Sequence, residues 1–298
     1  MTRASRRVVL VLLTLWVGTA TAAWQPSILG QSIPARIVST SPSITETVFA
    51  LGLGDRVVGV STYCRFPPAV AGIPKVGTFL KPDAEVIARL KPDLVLVNAG
   101  PHSLPSQLAT LGIRASIIDR GSLQAVFSTI RQIGTAAGVP DRADRLVADI
   151  NGRLERVKTL VSRRPPAKAL IVVGRRTGTL TDIVAVGPTS YLHDVAAIAG
   201  GVNVLGTATL EYPRISMETV ISLAPDVIID VGEMGTLPAD SDRRLAITEG
   251  LWRKQTLVKA VRDGRVHATT DQAFVVAGPR IVEIAERMAT WFHAVTLP

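Results

Sequence analysis

Apolar residues along this chain gather into short unbroken runs, separated by stretches in which they recur with helical spacing. In the first half the runs at 37–39, 57–60, 94–97 and 115–118 read as strands. Runs this short and continuous suit strands buried on both faces of a parallel sheet. The first helical stretch offers Ser41 or Ser43 as N-cap, puts Ile44, Val48 and Leu51 on one face and stops at Gly52. The second half repeats the pattern, with strands near 169–173, 227–229 and 266–268 and a closing helix over 279–294. Strands alternating with helices predict an α/β fold with parallel sheets.

The two halves also match residue by residue. Residues 85–93 and 218–226 both open on glutamate (Glu85, Glu218), carry leucine at the sixth place (Leu90, Leu223) and close on Pro-Asp (Pro92-Asp93, Pro225-Asp226). Each reads as a short helix feeding a buried strand. Residues 42–52 and 188–200 form a second pair, starting at a proline and ending at a glycine. Between the halves, Leu146, Val147, Ile150, Leu154, Val157 and Val161 recur at helical spacing among charged residues, and Arg163-Arg164-Pro165-Pro166 ends the pattern. A helix of about 24 residues over 141–164 would be roughly 36 Å long, enough to run beside two lobes. The plain alternative is a surface helix within one domain. The expected fold class is α/β, two Rossmann-like lobes with parallel sheets joined by a single long helix. Its segments are a signal peptide over 1–22, an N-terminal lobe over 34–140, the connecting helix over 141–164 and a C-terminal lobe over 167–298.

The first residues add an address. Arg3, Arg6 and Arg7 precede an apolar run over 8–17 and the small residues Ala20, Thr21 and Ala22, the layout of a secretory signal peptide cleaved after Ala22. An apolar run of about ten residues is half of the roughly 20 needed to span a membrane. The expected location is therefore the periplasm. Residues 5–10 partly match a twin-arginine signal, and the choice between that route and general secretion stays open. What remains suffices for two domains at roughly 100 to 200 residues each. Cys64 is the one cysteine, so no cysteine follows the signal to carry lipid and no internal disulfide can form.

The formal net charge is +9, but outside the signal the basic residues are dispersed, without the basic block or basic-aromatic interleaving of a nucleic-acid binder. They read as a solvated surface or as a weak preference for anionic ligands. His102, His193, His267 and His293 lack metal-site spacing, and Cys64 has no histidine near it in sequence. No Gly-x-Ser-x-Gly elbow, Walker loop or Gly-x-Gly-x-x-Gly fingerprint occurs. An exported two-lobed enzyme, such as a glycosyl transferase, would need a phosphate loop or paired carboxylates, and neither is visible. A ligand-sensing partner of a membrane receptor is a third possibility.

Several segments, in their order and spacing, carry a resemblance: Arg36 to Ser39 leading to Ser41-Pro42 and Thr45-Glu46; Val58 to Cys64 with Phe66-Pro67-Pro68; Glu85 to Leu96; Tyr212-Pro213, Ile215-Ser216 and Glu218; and Gly278 to Ile281. Together they resemble the periplasmic binding proteins with a helical backbone, which serve ATP-driven importers of cobalamin, ferric siderophores and haem, with the cobalamin-binding branch nearest. The likeness covers nearly the whole chain after the signal. It implies a monomer with no cofactor, catalytic residue or metal site of its own. It also implies a cleft between lobes that closes little around a small-molecule ligand, and an ABC permease with its ATPase as partner. The implied ligand is a corrinoid, with a ferric siderophore or haem as the alternative. Glu85 and Glu218 match the carboxylates, one per lobe, that dock onto permease arginines; such rim charges mainly tune encounter and orientation. A glutamate near a helix start also simply favours the helix dipole.

Only 4% of residues are aromatic, so those outside helical stripes stand out. Tyr63, Phe66, Phe79, Tyr212 and Phe274 lie in connections after strands, where open α/β sheets bind ligands. Flat rings suit a corrin or porphyrin face. By resemblance Tyr63, Phe79 and Tyr212 line the cobalamin cleft, with Phe79 and Tyr212 standing where tryptophans are expected, and Asp271 lies near the ligand. Arg175 and Arg176 follow a strand and could turn into the cleft, where guanidinium groups would suit a siderophore anion or haem propionate. The alternative for the pair is a solvated turn.

Overall fold

The computed structural model describes residues 32–100, 103–118, 121–232 and 241–295; the expected signal peptide and His102 lie outside them. In the first lobe, strands β1 (Ile37–Ser39), β2 (Val57–Val60), β3 (Leu94–Asn98) and β4 (Ala115–Ile118) form one parallel sheet in the order β2-β1-β3-β4. Its central strands are apolar on both faces because both faces are covered. Ile37, Leu94 and Leu96 point into one core, while Val38, Val95 and Val97 point into another with Val76, Ile87, Leu104 and Leu108. The covering helices are α1 (Pro42–Ala50), α2 (Ala84–Arg89), α3 (Leu104–Thr110) and α4 (Leu123–Ala136). Ser41 holds the N-cap position of α1, but neither it nor Ser43 caps the helix through its side chain. Pro42 at the first turn and Gly52, at φ +72°, set its limits.

The connecting helix α5 spans Pro140–Val161, 22 residues and about 33 Å. Its buried stripe of Ala143, Val147, Ile150, Leu154, Val157 and Val161 joins a hydrophobic cluster that runs unbroken from Ile37 in the first lobe to Phe292 in the second. The lobes thus share a core, and spreading them would expose it.

The second lobe comprises β5 (Ala167–Gly174), β6 (Ile183–Ala185), α6 (Tyr191–Ile198), β7 (Gly201–Asn203), β8 (Arg214–Ile215) and α7 (Met217–Leu223). It continues through β9 (Val227–Asp230), α8 (Ser241–Arg253), α9 (Lys259–Arg262), β10 (Val266–Ala268) and α10 (Ile281–His293). The sheet order is β10-β9-β5-β6-β8, with β7 beside the start of β5. The α/β class holds, but this sheet is mixed, since β6 runs antiparallel to both its neighbours, β5 and β8. The cause is local: the 175–182 connection between β5 and β6 is too short for the crossover that a parallel neighbour requires. Helix α6 begins at Tyr191 behind the N-cap Ser190, not at Pro188 as the repeat suggests.

The 85–93 and 218–226 repeat is structural. Asp93 Oδ2 accepts hydrogen bonds from Ala35 N and Arg36 N at 2.7 and 2.9 Å, and Asp226 Oδ2 accepts one from Lys168 N at 2.9 Å. The basic side chains reply in kind, Arg36 Nη2 donating to the Leu90 carbonyl and Lys168 Nζ to the Leu223 carbonyl. In each lobe the Pro-Asp end therefore anchors the glutamate-bearing helix to the start of the central strand.

Candidate functional site

Loops leaving the C-terminal ends of the strands in both lobes face each other across a cleft of about 520 Å³. The first lobe contributes Pro42 and Ser43 at the start of α1, Phe79, Asn98 at the end of β3, and Gly121. Phe79 sits in a tight turn over 77–82. Gly77 at φ +93° bridges Pro82 there, and a Cβ on it would crowd the Lys81 carbonyl. Tyr63 stands behind Phe79, ring centroids 5.8 Å apart and edge to face.

The opposite wall is formed by Tyr191, Glu211 and Tyr212, together with Val275, Val276 and Ala277. The 210–213 segment is pinned to its neighbours. Gly187 N donates to the Glu211 carbonyl at 2.7 Å, Ala185 N donates to the Pro213 carbonyl at 3.0 Å, and the Tyr212 and Ser190 hydroxyls are 3.2 Å apart. Any side chain at Gly187 would collide with the Leu210 carbonyl.

Polar links cross between the lobes beside this cleft. Arg280, just before α10, donates from Nε and Nη2 to both carboxylate oxygens of Glu46 in α1, at 2.9 and 2.7 Å. The side chains are 12% and 4% exposed, so this is a buried bidentate pair. Arg280 also lies 3.5 Å from Asp271 and stacks 4.2 Å from the centroid of the Phe66 ring. Burial pushes the Glu46 carboxyl above its usual value, and the hydrogen bonds from Arg280 pull it back. A second link caps a helix in trans: Leu123 N at the start of α4 donates to Asp194 Oδ2 of α6 at 3.1 Å.

The structure separates the sequence candidates. Phe79 and Tyr212 meet across the cleft, on opposite walls, while Tyr63 supports Phe79 from behind. Phe66 is half-exposed beneath Arg280. Phe274 is buried, its carbonyl held by the Tyr191 hydroxyl at 3.0 Å and its ring stacked on Trp291. Asp271 caps the short helix Gln272–Val275 and pairs with Arg280 and Arg287. Neither arginine of the 175–176 pair lines the cleft. Arg175 is buried against Asp230 at 3.1 Å, with Thr248 at 2.6 Å and the Trp252 indole on the same carboxylate at 2.7 Å. Arg176 pairs with Asp182 on an exposed turn. Sequence reasoning passed over Ser43, Asn98, Tyr191 and Glu211 as lining residues; only the strand-end rule could have flagged them. Cys64 is buried 3.1 Å from Thr45 Oγ1, and desolvation pushes its thiol up, away from the reactive thiolate form. Glu85 and Glu218 are exposed in the first turns of α2 and α7. A hydrogen bond from Ser216 holds Glu218 below the usual carboxylate value.

A two-lobed frame with a shared core, a stiff connecting helix and a cleft at the strand ends has a known family to compare with. Residues 37–273 match the family described as periplasmic binding protein. The chain belongs to that family. An uncharacterized ABC transporter substrate-binding lipoprotein of Bacillus subtilis is 30% identical over 265 residues, covering 86% of this chain and 79% of the relative. A vitamin B12-binding protein of Photorhabdus laumondii is 26% identical over 257 residues, 86% of either chain. The apo form of the periplasmic heme-binding protein RhuT from Roseiflexus sp. RS-1 superposes with a TM-score of 0.73 at 29% identity, covering 87% of this chain and 98% of that one. This binding protein is a substrate-binding component of the ABC-transporter type, with a small-molecule ligand, a permease as partner and an extracytoplasmic place of work. The relatives are transport proteins; none is described as an enzyme.

Proposed function

We propose that this binding protein captures a corrinoid of the cobalamin type in the cleft and presents it to its permease through Glu85 and Glu218. The observation that carries the ligand assignment is the make-up of the cleft. Phe79 and Tyr212 oppose each other across it, Ser43 and Asn98 add neutral polar groups, and both candidate arginines are spent elsewhere, on Asp230 and Asp182. A flat macrocycle with peripheral amides fits aromatic walls and neutral donors and acceptors. An anionic ferric chelate or a haem with propionates would enter without a guanidinium to receive it from either arginine. The vitamin B12-binding relative supports the same reading.

The heme-binding neighbour and the half-exposed Tyr212 phenol, which could ligate iron, favour haem as the second reading. Protein lacking residues 1–22 is titrated with cyanocobalamin, haem and a panel of ferric siderophores, following intrinsic fluorescence and heat. Saturable one-to-one binding of cyanocobalamin is the expected result. Binding of haem or a ferric chelate alone would overturn the corrinoid assignment and leave the transport role standing.

A further inference from the structure

Among the described residues, one charged side chain lines the cleft, and it is an acid, Glu211. Its backbone is unusually well fixed for a connection between strands. The carbonyl is held by Gly187 N, the next residue is tied through its hydroxyl to Ser190, and the chain then enters β8, which pairs with β6 at Ile183–Ile215. The absent side chain at Gly187 is what lets the 210–211 backbone come this close. The carboxylate itself is exposed, and no hydrogen bond or ion pair to another described side chain occupies it. The facing groups, Ser43 and Asn98, are neutral.

We infer that Glu211 selects ligands by charge, accepting hydrogen bonds from amide N–H groups or a positive centre at that end of the ligand and rejecting a carboxylate there. This deepens the corrinoid reading and rests on it for the choice of probe. The physical ground is an asymmetry. A ligand amide meeting a carboxylate gains a charge-assisted hydrogen bond. A ligand carboxylate in the same place finds only the neutral donors of Ser43, Asn98 and Tyr212 nearby and no positive charge among the described lining residues, and as the ligand excludes water it meets a like charge at short range. A cleft whose described lining carries one charge, and that negative, therefore sorts ligands by the charge they bring to it.

Cyanocobalamin and its mono-acid derivatives separate charge from shape, because each derivative differs by one peripheral amide hydrolysed to a carboxylate. Affinities are measured by calorimetry for wild type, Glu211→Gln and Glu211→Arg, with thermal unfolding as a check that all three fold. Wild type is expected to bind at least one mono-acid isomer tenfold or more weakly than cyanocobalamin. Glu211→Gln should bring that isomer to within about threefold of the parent, and Glu211→Arg should reverse the order. The wild-type discrimination should shrink as salt is raised. Equal binding of the parent and every isomer by wild type, or discrimination that survives Glu211→Gln, would overturn the inference. If wild type binds no corrinoid at all, the ligand reading falls instead and haem becomes the probe. A tenfold gain in haem affinity for Glu211→Arg would then keep the charge inference, and no gain would overturn it.

Discussion

Replacing Arg280 by methionine tests whether the buried pair with Glu46 braces the two lobes. The variant keeps the unbranched apolar stem of the side chain but strands a carboxylate that is 4% exposed. Breaking a buried pair from one side costs about 3–5 kcal/mol, and the lost stacking on Phe66 adds about 0.5–1 kcal/mol. With a urea dependence near 3 kcal/mol per M, the unfolding midpoint should fall by roughly 1 to 2 M. The loss should depend on pH with a definite sign. Burial already raises the Glu46 carboxyl, and Arg280 supplies the main opposing pull; without it the folded-state value rises further above the unfolded one. A group raised in this way leaves stability intact below its unfolded value and removes it as pH rises through the folded value. The deficit of Arg280→Met relative to wild type should therefore be smaller at pH 5 than at pH 8. Glu46→Gln should cost less, about 1–3 kcal/mol, because Arg280 still lies beside Asp271. The double variant Glu46→Leu with Arg280→Met should recover most of the loss, since replacing both partners by apolar groups is often near neutral. A loss under about 1 kcal/mol for Arg280→Met, a deficit that shrinks as pH rises, or a double variant equal to the sum of its parts would each refute the reasoning.

Three other outcomes follow from the same geometry. Reversing the charge of Glu85 or Glu218 to lysine should abolish uptake in transport assays while ligand affinity, measured by calorimetry, stays within about twofold, because both residues are exposed and neither is part of the cleft lining. Phe79→Ala and Tyr212→Ala should each weaken ligand binding by about 1.5–3 kcal/mol, roughly 10- to 150-fold in the dissociation constant, and Tyr63→Ala by less because it acts through Phe79. Arg175→Met should lower unfolding stability by about 3–5 kcal/mol by stranding the buried Asp230, whereas Arg176→Ala on its exposed turn should change it by less than about 0.5 kcal/mol.

The strands that sequence pattern located to the residue, at 37–39, 57–60, 115–118 and 266–268, belong to the parallel part of each sheet. A strand covered on both faces must be apolar throughout, so its signal survives without knowledge of its neighbours. The missed strands, β6, β7 and β8, are two or three residues long and form or flank the mixed edge. Their pairing depends on the short 175–182 connection and on the approach of the 210–213 segment to Gly187. Neither leaves a periodic mark. The Glu85 and Glu218 repeat was legible for a firmer reason: the Pro-Asp end has to place a carboxylate on the backbone of residues 35–36 in one lobe and 168 in the other. A local geometry that recurs needs the same residues each time.

The site was legible where chemistry is carried by a residue type and opaque where it depends on direction. Aromatic rings are scarce in this chain, so Phe79 and Tyr212 stand out wherever they point. Arg175 shows the opposite case. Ile171 and Val173 face the core shared by the lobes, and strict alternation would carry Arg175 to that side as well. The register between β5 and β6 slips between Val172 and Gly174, and a bulge there inserts one extra residue and exchanges the faces. Arg175 consequently joins the side of Leu170 and Val172, where Asp230 and Trp252 wait for it. Glu46 was hidden in a related way. It lies off the stripe formed by Ile44, Val48 and Leu51, which marks a solvent-facing position on a one-sided helix, but α1 is packed around most of its circumference, with Thr45, Glu46 and Thr47 also buried. An acid in that setting requires a partner, and the partner lies 234 residues away. The features that join the lobes are thus the ones a reading of each lobe alone could not supply.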